Sequence, residues 1–351
     1  MKVARIYELN SPLILEEMVT PEPKKGEVLV RVKACAIASG EFAVILGRRK
    51  QYYGGEFEFP HVPGYQGAGV VEDASSDEQG WRKGERVIVN GLISCGKCGY
   101  CKEGLDNLCT EHKLIGIDSG TQGCFAEYVS VPSRNLIPLS ENIPFEQAVL
   151  ISEAGVIYHA YAKMKPDQLK SFSVAIFGCG RMGQITVGVS RAFGADFVFV
   201  VDRHTDRLEL AKMAGADVMI KSLGEDPVET ILRLTNGKGV NVAIEFTGSG
   251  DMIVNSIRST GHNGKVFLIG IRAPVVLQLP TYYKDVIQKE NNIIGCLGKT
   301  SSEFHLTAEM FGSGKLNLSR IPIKVFPFNQ IAEAWKVATE RKTAERIVLN
   351  I

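Results

Sequence analysis

The chain has 351 residues, 45% of them hydrophobic and 23% charged, with Lys and Arg balancing Asp and Glu to a net charge of +1. That length exceeds what one hydrophobic core usually supports, so two domains are expected. Near-neutral charge without a long basic run excludes the footprint of a nucleic-acid binder, and no run approaches the ~18 apolar residues of a membrane span.

The segment Met1-Lys2-Val3-Ala4-Arg5-Ile6 lacks the apolar stretch and small-residue cleavage pattern of a signal peptide, so a cytoplasmic location is expected. Residues 1 to about 150 read as β-rich and barrel-like: Val28–Val32, Gly69–Val71 and Arg86–Val89 are β-branched runs punctuated by Pro and Gly. Further on, apolar strands alternate with helical stretches, at Ser173–Phe177, Phe197–Val201, Asp217–Ile220, Asn241–Glu245, Lys265–Gly270 and Asn292–Cys296. This α/β alternation predicts a doubly wound parallel sheet. From about Leu297 the pattern turns irregular, then gives a helix around Ile331–Glu340 and a last strand at Arg346–Leu349, so the tail is expected to rejoin the first domain.

Two motifs carry chemistry. Cys95, Cys98, Cys101 and Cys109 place four of the eight cysteines within 15 residues, with Gly96, Gly99 and Gly104 between them. Four thiolates suit tetrahedral Zn(II) and leave no open position, so one structural zinc per chain is expected; the bland alternative is a redox or accidental cysteine cluster. The second motif is Gly178-Cys179-Gly180-Arg181-Met182-Gly183, set between a strand and a helical pattern running to Phe193. Such a turn brings backbone and a helix N-terminus against a dinucleotide pyrophosphate. Asp202 ends the next strand, 19 residues beyond Gly183, where a carboxylate accepts hydrogen bonds from ribose hydroxyls and repels a 2′-phosphate, although the adjacent Arg203 relieves part of that conflict. NAD(H) is the expected cofactor; a chance glycine turn with a helix-capping Asp is the competing reading.

Together with Val28–Cys35, Pro63-Gly64-x-x-Gly67-x-Gly69-Val70-Val71 and Gly123-x-Phe125-Ala126-Glu127-Tyr128, these motifs resemble the zinc-containing alcohol and polyol dehydrogenases of the medium-chain dehydrogenase/reductase family. The resemblance covers essentially the whole chain. It implies a GroES-like β-rich catalytic domain (1–152 and 297–351) carrying the structural zinc lobe, and a Rossmann NAD-binding domain (153–296). It also implies a small-molecule substrate, a homodimer or homotetramer, and a cofactor site that includes Thr247 and Gly270.

The family's catalytic zinc ligands do not carry over. Where its pattern runs A-C-G-I-C-G-S/T-D-x-H, this chain reads Ala34-Cys35-Ala36-Ile37-Ala38-Ser39-Gly40-Glu41-Phe42-Ala43, and the family's G-H-E becomes Gly64-Tyr65-Gln66. Glu153 stands where the family supplies Cys or an acid, but one carboxylate does not make a site that usually needs three protein ligands. No catalytic zinc is therefore expected. Tyr65 either donates a hydrogen bond to the substrate oxygen or fills the vacated volume. Glu153 is either a base or hydroxyl acceptor, or an acid favoured near a helix N-terminus. His61 and His159, which have no partner at ligand spacing, read as structural. Hydride transfer at a hydroxyl/ketone pair of a polyol-like substrate is the leading expectation. Reduction of an activated alkene, or an NAD sensor without turnover, are the alternatives.

Overall fold

The computed structural model describes residues 1–47, 58–77, 79–165, 170–271, 274–340 and 343–351. The side chains of Ser39, Ala43 and Val44 also lie outside the description, and with them the expected histidine-to-alanine replacement at position 43. The chain divides into two compact units, Met1–Ser152 with Thr300–Ser313 and Ile323–Ile351, and Glu153–Lys299 with Gly314–Pro322.

The first unit opens with β1 (Lys2–Arg5), β2 (Ile14–Glu17), β3 (Glu27–Ala36), β4 (Gln66–Asp73), β5 (Arg86–Val89), β6 (Leu92–Ile93), β7 (Lys113–Leu114), β8 (Tyr128–Pro132) and β9 (Leu136–Pro138). The second contains β10 (Phe172–Phe177), β11 (Ala195–Asp202), β12 (Val218–Lys221), β13 (Val240–Glu245), β14 (Thr260–Leu268) and β15 (Asn292–Gly295). The chain returns to the first unit with β16 (Ile323–Pro327) and β17 (Arg346–Asn350).

In the first unit a seven-stranded sheet runs β16-β17-β3-β4-β5-β9, with β8 paired to β3. Its centre is β3, where Val28, Val30 and Val32 point into the core while Arg31 stays exposed, the period-two pattern of a strand with one buried face. Phe125, Ala126 and Trp335 complete that core.

The second unit is a six-stranded parallel sheet in the order β12-β11-β10-β13-β14-β15. Counted from β10, this is the 3-2-1-4-5-6 order of a doubly wound dinucleotide fold, which places ligands at the carboxyl ends of the strands. The inner strands are buried on both faces, and their runs, such as Val174-Ala175-Ile176-Phe177, are accordingly apolar without alternation.

The expected assignment of residues 297–351 to the first domain needs correction at two stretches, the first being residues 297–299, which fall in the second unit. The other, Gly314–Pro322, belongs to the second unit as well. Leu316 and Leu318 are buried there, and Asn317 and Leu318 press on the helix Arg181–Ala192 so closely that a Cβ on Gly188 would lie 3.1 Å from the Asn317 carbonyl oxygen. Two leucines in a polar loop give too weak a periodicity to betray this docking.

Candidate active site and zinc lobe

The four cysteines converge. Their sulfurs all lie within 4.8 Å of one another, and Cys95 Sγ is 3.9 Å from Cys101 Sγ, close to the ~3.8 Å edge of a tetrahedron with Zn–S of ~2.3 Å. The Cys98 N–H donates to Cys95 Sγ at 3.3 Å and the Cys95 N–H to Cys109 Sγ at 3.3 Å. Backbone N–H groups at Lys97 and Cys98 pull the Cys95 thiol down to about 6, favouring thiolate, whereas burial and its sulfur neighbours push Cys101 up to about 12. A divalent cation resolves such crowding by taking the place of the protons, so the donor set fits zinc. Bound there, the metal would cross-link the loop, and a shell of four sulfurs would leave no position for substrate.

At the cofactor fingerprint, β10 leads into Gly178, whose φ of +94° turns the chain toward the helix Arg181–Ala192. A Cβ on Gly183 would lie 2.3 Å from the Gly178 carbonyl oxygen, so only glycine lets the helix sit this close to the turn. Gly180, by contrast, caps the helix facing open space, and Arg181 and Met182 form the first turn. That open cradle at a helix N-terminus fits a pyrophosphate. Asp202 accepts from the Cys179 N–H at 2.7 Å and from the His204 N–H at 2.9 Å, and Arg207 Nη1 lies 3.6 Å from it. Burial, reinforced by the Asp202 charge, pushes the Cys179 thiol far up and leaves it inert. Arg203 is exposed and turned aside, its Nε 3.0 Å from His204 Nε2.

Thr247 and Gly270 meet the fingerprint through a residue that sequence reasoning missed. Glu245, fully buried at the end of β13, accepts from the Thr247 N–H at 2.6 Å, from the Thr247 hydroxyl, and from the Gly248 N–H at 3.0 Å. A Cβ on Gly270 would lie 2.8 Å from Glu245 Oε2, and one on Gly178 would lie 2.8 Å from Thr247 Cγ2. Burial raises the Glu245 carboxyl against the pull of these donors. The signal was a carboxylate ending an apolar strand just before Thr247-Gly248.

In the first unit, Ala38 and Tyr65 are brought together by Glu41. This carboxylate is fully buried, accepting from the Ala38 N–H at 2.8 Å and the Tyr65 N–H at 2.7 Å. Burial raises its proton affinity despite those bonds and the nearby Arg346 charge. Arg346, itself 1% exposed, donates to Gln66 Oε1 and, at 2.9 Å, to the Ile37 carbonyl. The Tyr65 ring packs closely on the backbone at Gly91, where a Cβ would stand 2.3 Å from Cε2. Cys35 is fully buried beside Cys124 in the sheet core, with its thiol pushed up by burial. His61 is buried with Nε2 3.0 Å from the Gly116 carbonyl oxygen. In the second unit, Glu153 is buried in the first turn of the helix Ile151–Ala162.

Comparison with known proteins places these features in a lineage. Family models described as "Alcohol dehydrogenase GroES-like domain" and "Zinc-binding dehydrogenase" match residues 24–141 and 182–313. The L-threonine 3-dehydrogenase of Pyrococcus horikoshii is 30% identical over 337 residues, covering 95% of this chain and 94% of its own. The chain belongs to the alcohol dehydrogenase family of medium-chain dehydrogenases. A sorbitol dehydrogenase of Bacillus subtilis is 27% identical over 342 residues, 97% of this chain and 94% of that one. A solved NAD-dependent alcohol dehydrogenase, 26% identical, matches 100% of both chains with a TM-score of 0.87. As a member of this family the chain is an NAD-dependent, alcohol dehydrogenase-like oxidoreductase. No described helix is long and apolar enough to cross a membrane.

Within this alcohol dehydrogenase-like chain the zinc lobe is fastened to a distant helix. Asp106, between Gly104 and Cys109, accepts from the Ser301 N–H at 3.0 Å through Oδ1 and from the Ser301 hydroxyl through Oδ2. Ser301 opens the helix Ser301–Gly312, whose N-cap Thr300 forms a reciprocal capping box with Glu303. Asp106 thus satisfies an N-terminal amide that Thr300 does not reach, and adds negative charge at the positive end of the helix dipole.

Proposed function

We propose that the chain is an NAD(H)-dependent dehydrogenase that interconverts a secondary hydroxyl and a ketone in a small polyol-like substrate without a catalytic zinc. The observation that carries this reading is the chemistry at the family's ligand positions: Ala38 offers no donor, Tyr65 carries a phenol, a poor zinc ligand while it keeps its proton, and Gln66 is neutral. The frame around them is nonetheless assembled, with Glu41 gripping the Ala38 and Tyr65 amides and Arg346 gripping Gln66. In this reading the Tyr65 hydroxyl donates to the substrate oxygen, and Glu153 accepts from a substrate hydroxyl. NAD(H), which accepts or donates the hydride when bound, would be held by Gly178 to Gly183, Asp202, Arg203, Thr247 and Gly270. Zinc is held by the four cysteines alone.

A homodimer or homotetramer is part of the proposal. β15 is an edge strand, and Ile293 on it is exposed, as are Val276 and Tyr283 nearby in sequence; pairing of such an edge with a second copy removes an aggregation hazard. None of the eight cysteines is in a disulfide, which suits the reducing cytoplasm.

The test joins metal analysis to kinetics. Purified enzyme is expected to hold one zinc per chain, and Tyr65→Phe is expected to lower kcat on sorbitol or L-threonine at least about tenfold while leaving NADH binding unchanged. A second, chelatable zinc whose removal abolishes turnover would defeat the proposal. Full activity in Tyr65→Phe would reduce Tyr65 to a filler.

A further inference from the structure

Each half of a doubly wound dinucleotide fold takes one mononucleotide at the carboxyl ends of its strands. Here β10, β11 and β12 form the half that carries Gly178 and Asp202, and β13, β14 and β15 the half that carries Thr247 and Gly270. With Asp202 read as the partner of the adenosine ribose, the nicotinamide nucleotide falls to the second half. Glu245 stands where the two halves meet. It ends β13, the strand that pairs with β10 through Phe177↔Glu245.

Its carbonyl oxygen accepts from the Ile269 and Gly270 N–H groups, each at 2.9 Å, which closes the turn after β14 onto β13. Its carboxylate reaches along its own turn. One oxygen, Oε1, accepts from the Thr247 N–H at 2.6 Å and from the Thr247 hydroxyl, and the other, Oε2, from the Gly248 N–H at 3.0 Å. The Thr247 hydroxyl, its proton directed at Glu245, in turn accepts from the Ser249 N–H at 3.0 Å, and Ser249 is the N-cap of the helix Gly250–Ser259. The packing is equally close: a Cβ on Gly270 would lie 2.3 Å from the Gly248 nitrogen, and Thr247 Cγ2 stands against Gly178. The turns after β10, β13 and β14 therefore form one continuous surface with a single carboxylate beneath it. Burying a carboxylate is unfavourable unless several donors meet it, whereas an apolar residue at the end of an apolar strand carries no such cost. What the charge contributes is the fixed course of Thr247 and Gly248.

We propose that Glu245 is the positioning residue for the nicotinamide half of the cofactor, acting through Thr247, Gly248 and Gly270. The inference rests on the cofactor assignment made above and extends it to a group beneath the binding surface. Without the carboxylate, the Thr247 and Gly248 N–H groups lose their acceptor and the turn relaxes. The adenosine half keeps its own bonds, because Asp202 holds the Cys179 and His204 N–H groups independently of Glu245. An effect confined to one half of one ligand separates positioning from a general weakening of the fold.

The test compares two ligands on the full-length enzyme: NADH, followed by fluorescence, and AMP, which carries the adenosine half alone, followed by calorimetry. Glu245→Gln keeps the size but presents an amide NH₂ where one oxygen accepted. It should weaken NADH binding roughly tenfold, as loss of a hydrogen bond to a charged group does, while AMP binding stays within about twofold of wild type. Thr247→Val, which keeps the shape and removes only the hydroxyl, should weaken NADH by about threefold and leave AMP unchanged; it decides alone if Glu245→Gln fails to fold. Wild-type NADH affinity in both variants overturns the inference. Equal weakening of NADH and AMP does the same, because Glu245 would then support the whole domain. Failure of the wild-type enzyme to bind NADH would instead overturn the cofactor assignment itself.

Discussion

Replacing Asp106 by alanine tests whether the zinc lobe stabilises more than itself. The substitution removes an acceptor for the Ser301 N–H at 3.0 Å and for the Ser301 hydroxyl, in a residue only 9% exposed. A hydrogen bond to a charged group contributes about 1.5–3 kcal/mol, and an acidic group beside a helix N-terminus about 0.3–1 kcal/mol. Both Ser301 bonds share one carboxylate, so the contributions are not additive, and a loss of about 2–3 kcal/mol is expected. In a cooperative unit of roughly 150–250 residues this lowers the melting temperature by about 5–10 °C. Asp106→Asn, which keeps an acceptor but no charge, should recover roughly half. Calorimetry gives the shift. Hydrogen exchange locates it, with Ser301 to Phe304 exchanging faster while the metal content stays at one per chain. An unchanged melting temperature with unchanged exchange in that turn would refute the reasoning. So would loss of zinc from the variant, because Asp106 would then be acting on the metal site and not on the helix.

Three further outcomes follow from the same geometry. NAD⁺ should bind at least about tenfold more tightly than NADP⁺, because a 2′-phosphate meets the Asp202 carboxylate; equal or inverted affinities by fluorescence titration would show that Arg203 and Arg207 control the site. Cys98→Ser should lower both zinc content and melting temperature, and retention of full stability without metal would remove the structural role of the lobe. Burial raises the Glu41 carboxyl above its ordinary 4.5, so the folded state holds this proton more tightly than the unfolded chain. Its contribution to stability is complete below that value and is lost as pH rises through the raised one. Glu41→Gln should therefore flatten the decline in stability on the alkaline side of 4.5, and an unaltered slope in denaturant titrations would exclude Glu41 as its source.

The parallel sheet was legible because its inner strands are buried on both faces and read as apolar runs, so β10 to β15 each overlap the run the sequence places there, although β14 begins five residues earlier. The short pairs β1-β2 and β6-β7 were not, since strands of two to four residues carry too few alternations to show a period. The zinc lobe and the glycine turn were readable as spacing. What spacing cannot show is a residue that acts through tertiary contact. Arg207 reaches Asp202 across a turn, and Glu245 collects amides two and three residues ahead. Asp106 finds its partner 195 residues away. Each is an ordinary charged residue until the fold supplies its neighbour.

The same distinction bears on how such a site changes its chemistry. Glu41 holds positions 38 and 65 by their backbone N–H groups, and those donors are present whatever side chain the position carries. The frame therefore tolerates Ala38 and Tyr65 without losing a hydrogen bond, whatever side chains stand there. Tyr65 is not a neutral occupant in this respect. Its ring lies where a Cβ on Gly91 would be, 2.3 and 2.4 Å from two ring carbons, so the phenol is accommodated only because the facing backbone carries no side chain. A residue that merely fills space can be any apolar group of suitable volume, whereas in the reading proposed above the close packing on bare backbone at Gly91 limits where the ring, and with it the hydroxyl, can lie. A fixed donor is what stabilising charge on a substrate oxygen requires, and a loosely held one would have to be ordered again at each turnover.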